Sequence, residues 1–223
     1  MSVSKIEKSK GPNPFVRAYL VAYNVASLAG WGYMVFKTVK HFFVEGGSTA
    51  DLFEKTGELT ILVQTGALLE IAHSLFGFVR SPVSTTAIQV SSRILLTWGV
   101  LKLFGDHTEV TQYPAYTSMT LAWGVTEIIR YSFYALGLLG DGMIPSWLTW
   151  MRYTTFYLLY PIGAGSEAAL LWRSLPFAKS YSSALYYTYF GLLVIYPPGL
   201  LQMYTYMIGQ RAKVIGGGAK KTN

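Results

Sequence analysis

Residues 146–172 read SWLTWMRYTTFYLLYPIGAGSEAALLW. The stretch is long enough to span a bilayer, which takes about 20 mostly apolar residues at roughly 1.5 Å rise each. It nevertheless carries Arg152 and Glu167. A charge at mid-membrane costs roughly 2.5–3.5 kcal/mol on insertion scales. A helix that keeps both must turn them inward, toward partners or a polar cavity. Tyr153, Tyr157, Tyr160, Ala164 and Glu167 recur at helical spacing and so share one face. Tyr160 and Glu167 lie two turns apart, roughly 10 Å along an ideal axis. Between them Pro161 removes an N–H and favours a kink. Gly163 and Gly165 would let a neighbour approach the backbone closely. A phenol and a carboxylate aimed into one cavity can act as acid and base; a tyrosine stripe of this spacing also serves interface packing.

Working outward, five more windows are long enough to span: residues 18–39, 57–79, 85–104, 115–139 and 184–208, of which 57–79 and 85–104 carry polar residues that weaken their hydropathy. Only 13% of the 223 residues are charged and 52% are hydrophobic. Soluble domains average about 25% charged residues, and so few charges could not cover a water-exposed globule of this size. The expected fold class is therefore all-α, a polytopic membrane protein built as a bundle of six transmembrane helices. The expected organisation is a polar N-terminal segment (1–16), a membrane-embedded catalytic domain (17–210) and a basic tail (211–223). Residues 1–14 lack the short apolar run and cleavage site of a secretory signal peptide. The missing internal repeat and the small size weigh against a transporter.

Net charge is +7, gathered toward the chain ends. That pattern suits anionic lipid headgroups rather than nucleic acid, which needs a basic stripe on one exposed face. Six spans place both termini on one side. Lys5, Lys8, Lys10, Arg17, Arg80, Arg211, Lys213, Lys220 and Lys221 fall there, against Lys37, Lys40, Lys102, Arg173 and Lys179 opposite. The positive-inside bias makes the terminal side cytosolic. The ending Lys220-Lys221-Thr222-Asn223 resembles the dilysine retrieval signal of endoplasmic reticulum membrane proteins. The absence of cysteine excludes disulfides and thiolate metal sites. His41, His73 and His107 lack zinc-type spacing, no Gly-rich nucleotide motif occurs, and neither metal nor cofactor is expected.

Six strong charges fall inside predicted spans: Glu70, Arg93, Glu127, Arg130, Arg152 and Glu167. Unpaired, they would cost on the order of 15 kcal/mol or more, so three acids and three bases should pair around a polar interior. Glu127 and Arg130 at i,i+3 can meet directly, and Arg130 and Tyr134 at i,i+4 are neighbours. His73, at i,i+3 from Glu70, is expected to pair with it or to line the cavity.

Several motifs, in order, resemble the very-long-chain (3R)-3-hydroxyacyl-CoA dehydratases, also called the protein tyrosine phosphatase-like family, and in particular its plant PASTICCINO2-type members. They are Leu69-Glu-Ile-Ala-His73, Val79-Arg-Ser-Pro-Val83, Gln89-Val-Ser-Ser-Arg93, Thr126-Glu-Ile-Ile-Arg-Tyr-Ser132 and the segment 151–167. The likeness runs from about residue 19 to 211. It implies dehydration of a (3R)-3-hydroxyacyl-CoA to a trans-2-enoyl-CoA, the third step of fatty-acid elongation, in the endoplasmic reticulum membrane with the active site open to the cytosol. It also implies a condensing enzyme and reductases as partners, and Tyr160 and Glu167 as the catalytic pair. A cysteine-dependent phosphatase needs a thiolate nucleophile, which this chain lacks.

Elimination requires a base for the α-proton and an acid for the departing hydroxyl. The preferred assignment makes Glu167 the base and Tyr160 the donor, with the reverse kept open. Candidate donors to the thioester oxygen are Tyr153, Tyr157, Ser92 and Arg93. The CoA phosphates would suit Arg80 and Arg152 at the cytosolic mouth, with Arg93 and Arg130 deeper. Competing expectations are an inactive scaffold of the elongase complex and a small transporter.

Overall fold

A computed structural model describes residues 13–140 and 142–216, and no strand occurs among them. The expected polar segment falls mostly outside the described residues, as does the dilysine-like ending. Among the described residues nine α-helices follow in order, with a π-helical segment between the fourth and fifth. They are α1 (Pro14–Phe43), α2 (Leu52–Gly66), α3 (Leu68–Leu75) and α4 (Val83–Ile94), then π1 (Leu95–Lys102) and α5 (Thr108–Thr111). After these come α6 (Pro114–Leu139), α7 (Ser146–Thr154), α8 (Phe156–Tyr181) and α9 (Ser183–Ile215).

Three of the windows expected to be single helices are composite. The window at 57–79 breaks at Ala67 between α2 and α3, that at 85–104 passes from α4 into π1, and that at 146–172 breaks at Thr155 between α7 and α8. At each point a threonine hydroxyl takes a carbonyl one turn back: Thr65 to Ile61 (2.6 Å), Thr97 to Arg93 (3.1 Å), Thr155 to Met151 (2.9 Å). Such back-bonding bends helices. It is not sufficient alone, since Thr38, Thr56 and Thr60 do the same within unbroken helices. Gly66 and Gly99, weak helix formers, sit beside two of the three irregularities. Pro161 leaves α8 continuous. The Tyr157 carbonyl, which loses its usual i+4 partner to that proline, is met by the Tyr204 hydroxyl of α9 at 3.5 Å.

The helices pack α1 on α6, α6 on α8 and α8 on α9, with α2 against α1 and π1 bridging α2 and α8. The core lies along α6: Trp31 and Met34 of α1 meet Tyr116, Met119 and Trp123, and Leu101, Leu170, Leu171 and Tyr189 complete it. Trp31 and Trp123 stand edge to face at 6.4 Å. The Tyr116 hydroxyl bonds Thr56 and Thr60 at 2.9 and 3.0 Å, tying α2 to α6. Tyr189 donates to the π1 carbonyl of Gly99, joining α9 to the widened turn.

Several contacts bring the same end of the bundle together. Arg17 donates to the Leu139 carbonyl at 2.6 Å, Tyr19 meets His73 at 2.9 Å, and Arg211 donates to Thr154 at 3.2 Å. The start of α1, the ends of α3, α6 and α9, and α7 therefore share one end. At the other end Lys40 bonds Glu45 at 3.0 Å, and this hydrogen bond helps hold the Glu45 carboxyl below the usual range.

The surface is inverted relative to a water-soluble domain. Trp172 is 63% exposed and Val194 61%, whereas the Glu127 side chain is 1% exposed. Among the described residues α9 is the one helix long and apolar enough, by length and composition, to cross a membrane.

The α1–α6 seam depends on Gly124, where an added Cβ would strike Val35 and come within 2.8 Å of the Met34 methyl. Overpacking of this kind costs about 1–3 kcal/mol. Gly124→Ala should lower the thermal unfolding midpoint in detergent; an unchanged midpoint would show that the seam relaxes freely.

Candidate active site

Four of the predicted intramembrane charges form one connected row across three helices. Arg130 of α6 grips Glu70 of α3 with two parallel bonds of 2.8 Å. Its Nε donates to Glu127, one turn earlier on α6, at 2.6 Å. Arg93, at the end of α4, takes the other Glu127 oxygen. Glu70 also accepts from Tyr131 at 2.7 Å and Tyr23 at 3.3 Å. The planar fork of arginine suits such two-sided pairing, which lysine could not reproduce. The expected Glu127–Arg130 contact is present, and the Arg130 guanidinium also lies 5.9 Å from the Tyr134 ring.

The row continues by stacking. The Arg93 guanidinium sits over the Trp123 ring at 5.2 Å, and the Trp123 indole N–H donates to Oε1 of Glu167 at 2.8 Å. Tyr196 of α9 donates to Oε2 of Glu167, also at 2.8 Å. Tyr160 stands seven residues before Glu167 on α8. Among the described residues its hydroxyl makes no hydrogen bond. Tyr160 and Glu167 are both partly buried on α8, seven residues apart, so the two turns expected between them are realised on one continuous helix.

The structure links Arg93 to Glu167 through the Trp123 ring, keeps Tyr160 on the helix of Glu167, and sets Arg130 further along the ion row. The other candidates lie elsewhere. Arg152 donates to the Tyr134 hydroxyl at 3.0 Å and covers the Phe133 ring at 4.7 Å, with Tyr153 edge-on to Phe133. Tyr157 is 40% exposed at the α8–α9 seam, where it faces Tyr204 and carries Arg211 over its ring at 5.6 Å. The break at Thr155 and the turn of Tyr157 toward α9 interrupt the tyrosine face expected from spacing. Ser92 is exposed and donates back to the Gln89 carbonyl of its own helix at 2.9 Å. Arg80 is exposed in the turn between α3 and α4. His73 hydrogen-bonds Tyr19 rather than Glu70, because Arg130 and the two tyrosines already occupy that carboxylate.

Trp123 and Tyr196 escaped the sequence reading. Tyr196 is one of 17 tyrosines, 29 residues from its carboxylate, and nothing within its own helix distinguishes it. Trp123 reads as an ordinary apolar residue of α6 until the fold brings α8 beside it. Among the described residues no group of three or more His, Cys, Asp or Glu could hold a metal ion.

Removing Arg130 would leave Glu70 without its cation and Glu127 with one of two. Breaking a buried pair in this way costs about 3–5 kcal/mol. Arg130→Met should therefore give a protein that is poorly expressed or unfolds at lower temperature in detergent, and a wild-type melting curve would show that the row contributes little to stability.

The sequence profile of the family described as "Protein tyrosine phosphatase-like protein, PTPLA" matches residues 64–217. The "Probable very-long-chain (3R)-3-hydroxyacyl-CoA dehydratase" of Schizosaccharomyces pombe is 46% identical over 196 residues, covering 88% of this chain and 92% of that protein. The "Very-long-chain (3R)-3-hydroxyacyl-CoA dehydratase hpo-8" of Caenorhabditis elegans is 40% identical over 219 residues, 92% of this chain and 98% of its own. "Very-long-chain (3R)-3-hydroxyacyl-CoA dehydratase PASTICCINO 2" of Arabidopsis thaliana is 40% identical over 215 residues, 89% and 93% of the two chains. No solved structure matches the chain. With a profile that covers more than half of the sequence and relatives similar from end to end, the chain belongs to the protein tyrosine phosphatase-like (PTPLA) family.

Proposed function

We propose that this protein is a hydro-lyase that dehydrates (3R)-3-hydroxyacyl-CoA to trans-2-enoyl-CoA in very-long-chain fatty-acid elongation. The relatives carry that activity in their names. The observation that carries the reading is the Glu167 carboxylate, hydrogen-bonded on both oxygens, with the uncommitted hydroxyl of Tyr160 two turns away on the same helix. Glu167 takes a proton from the α-carbon, and that C–H pair becomes the new C=C bond. The β C–O bond breaks, and the departing oxygen takes the Tyr160 proton to leave as water. Return of the α-proton from Glu167 to the tyrosinate, directly or through water, resets the pair. Tyr160 fits the acid role because its O–H is free for substrate, whereas the Tyr196 proton is committed to Glu167. No metal or cofactor enters this scheme. Thioester polarisation falls to a nearby donor; of the candidates Tyr153, Tyr157, Ser92 and Arg93, Arg93 is the one stacked on the Trp123 ring that bonds Glu167.

The same reading sets the chain in the endoplasmic reticulum membrane with six passes: α1, α2 with α3, α4 with π1, α6, α7 with α8, and α9. The outward-facing apolar side chains support it, as does the low cost of exposing them to lipid rather than water. Residues 17–210 form the embedded catalytic domain, with 1–16 and 211–223 cytosolic. Arg17, Arg80, Arg152 and Arg211 all belong to the end where α1 begins and α9 finishes, which favours a cytosolic mouth for CoA phosphates and cytosolic access to the site. The reductases of the elongase cycle, one making the 3-hydroxyacyl substrate and one consuming the enoyl product, are expected partners, together with the condensing enzyme that supplies the carbon chain to the first of them.

The test is formation of 2-enoyl-CoA by the purified protein in detergent. Tyr160→Phe and Glu167→Gln should each lower kcat by about 10²–10⁴-fold while the protein still elutes as a folded species. Near-normal turnover by Glu167→Gln would sink the mechanism. Charge reversal at Arg80 or Arg211 should raise the KM for acyl-CoA with little change in kcat; an unchanged KM would remove that arginine from the CoA path.

A further inference from the structure

Glu167 is held from three helices at once. The side chain rises from α8, the Trp123 N–H reaches one oxygen from α6, and the Tyr196 O–H reaches the other from α9. The terminal torsion of a glutamate is soft and roughly two-fold, so an unassisted carboxylate would sample many planes. One donor on each oxygen fixes that plane. An ionised carboxylate has about four lone-pair positions, so each oxygen keeps one for an incoming proton. Indole is a donor only, so Trp123 cannot take the proton that Glu167 is meant to receive.

Trp123 is itself held by charge. The Arg93 guanidinium over its face pins the ring by cation–π attraction and draws electron density from it, which strengthens the indole N–H as a donor. Arg93 is fixed in turn by Glu127, and Glu127 by Arg130. The ion row thus ends on the ring that orients the carboxylate.

Resting on the dehydratase reading above, we infer that Trp123 and Tyr196 are positioning residues for Glu167, and that the Glu70–Arg130–Glu127–Arg93 row acts on the reaction through the Trp123 ring. Neither residue touches the reacting carbons. Their task is to aim the carboxylate at the α-proton, as outer-shell hydrogen bonds orient reacting groups elsewhere.

The experiment uses the full-length protein in detergent and a 3-hydroxyacyl-CoA carrying deuterium at C2. Trp123→Phe keeps the ring and removes the N–H; Tyr196→Phe keeps the ring and removes the O–H. Each should lower kcat by about 10- to 100-fold with KM within about threefold of wild type. The primary isotope effect should rise, because a misaimed base makes proton removal more rate-limiting. Arg93→Lys preserves the charge facing Glu127 and loses the planar stack. It should slow wild type and add almost nothing to Trp123→Phe, since both act through one ring. Glu167→Gln in the same assay separates the two ideas. If it is inactive while both phenylalanine variants turn over normally with an unchanged isotope effect, the positioning role fails and the dehydratase reading stands. If Glu167→Gln is itself active, the dehydratase mechanism fails first. Loss of kcat with an unchanged isotope effect and a lowered melting point would mark the two residues as merely structural and overturn the inference. Either phenylalanine variant suffices, so misfolding of one leaves the other to decide.

Discussion

Two arginines and two glutamates run in a row through an otherwise apolar bundle, and most of the architecture can be traced to keeping them paired. Arg130 bonds Glu70 on one side and Glu127 on the other, and Arg93 completes the second carboxylate. On the membrane placement proposed above, apolar helices gain little from the hydrophobic effect when they associate. A wrong register among α3, α4 and α6 would instead strand a charge, at a cost of several kcal/mol per ion. The row therefore sets register where packing alone would be permissive. Two of the three helix irregularities border it. Glu70 lies just past the break at Ala67, and Arg93 lies just before the π-helical turn. π-helical segments recur at functional sites; here the wider turn also accepts Tyr189 from α9.

The site at Glu167 borrows its order from this scaffold. Trp123 is the joint, with its face under Arg93 and its N–H on the carboxylate. Tyr196 closes the arrangement from α9. The hydroxyl of Tyr160 makes no hydrogen bond among the described residues, so the two tyrosines differ in what their hydroxyls do, a difference that spacing along the chain does not record. Poised acid and base groups can contribute several orders of magnitude to an elimination, provided their orientation is held before the substrate arrives.

Some of this was legible along the chain because it depends on local distance. Glu127 with Arg130 sits within one turn, and Tyr160 with Glu167 on one helix, so helical geometry places each pair without knowledge of the fold. The helical class followed from sustained apolar windows with few charges. Breaks within those windows were less legible, since neither Ala67 nor Thr155 is a proline or a turn residue that would mark a helix end. His73 shows the limit of spacing: one turn from Glu70 it had a plausible acidic partner, yet three long-range donors reached that carboxylate first. Ser92 shows another, since a serine hydroxyl on a helix can satisfy itself on its own backbone.

The sequence by itself determined that six charges fall within apolar segments and need partners, that Tyr160 and Glu167 lie on a common helix, and which family motifs surround them. These are consequences of composition and of a fixed rise per residue. Only the tertiary structure decided who meets whom across helices: Arg130 with Glu70, 60 residues away, Arg93 with Glu127, 34 away, and Tyr196 with Glu167, 29 away. Such pairings arise when separate helices settle into one register, and no periodicity along a single helix records that choice.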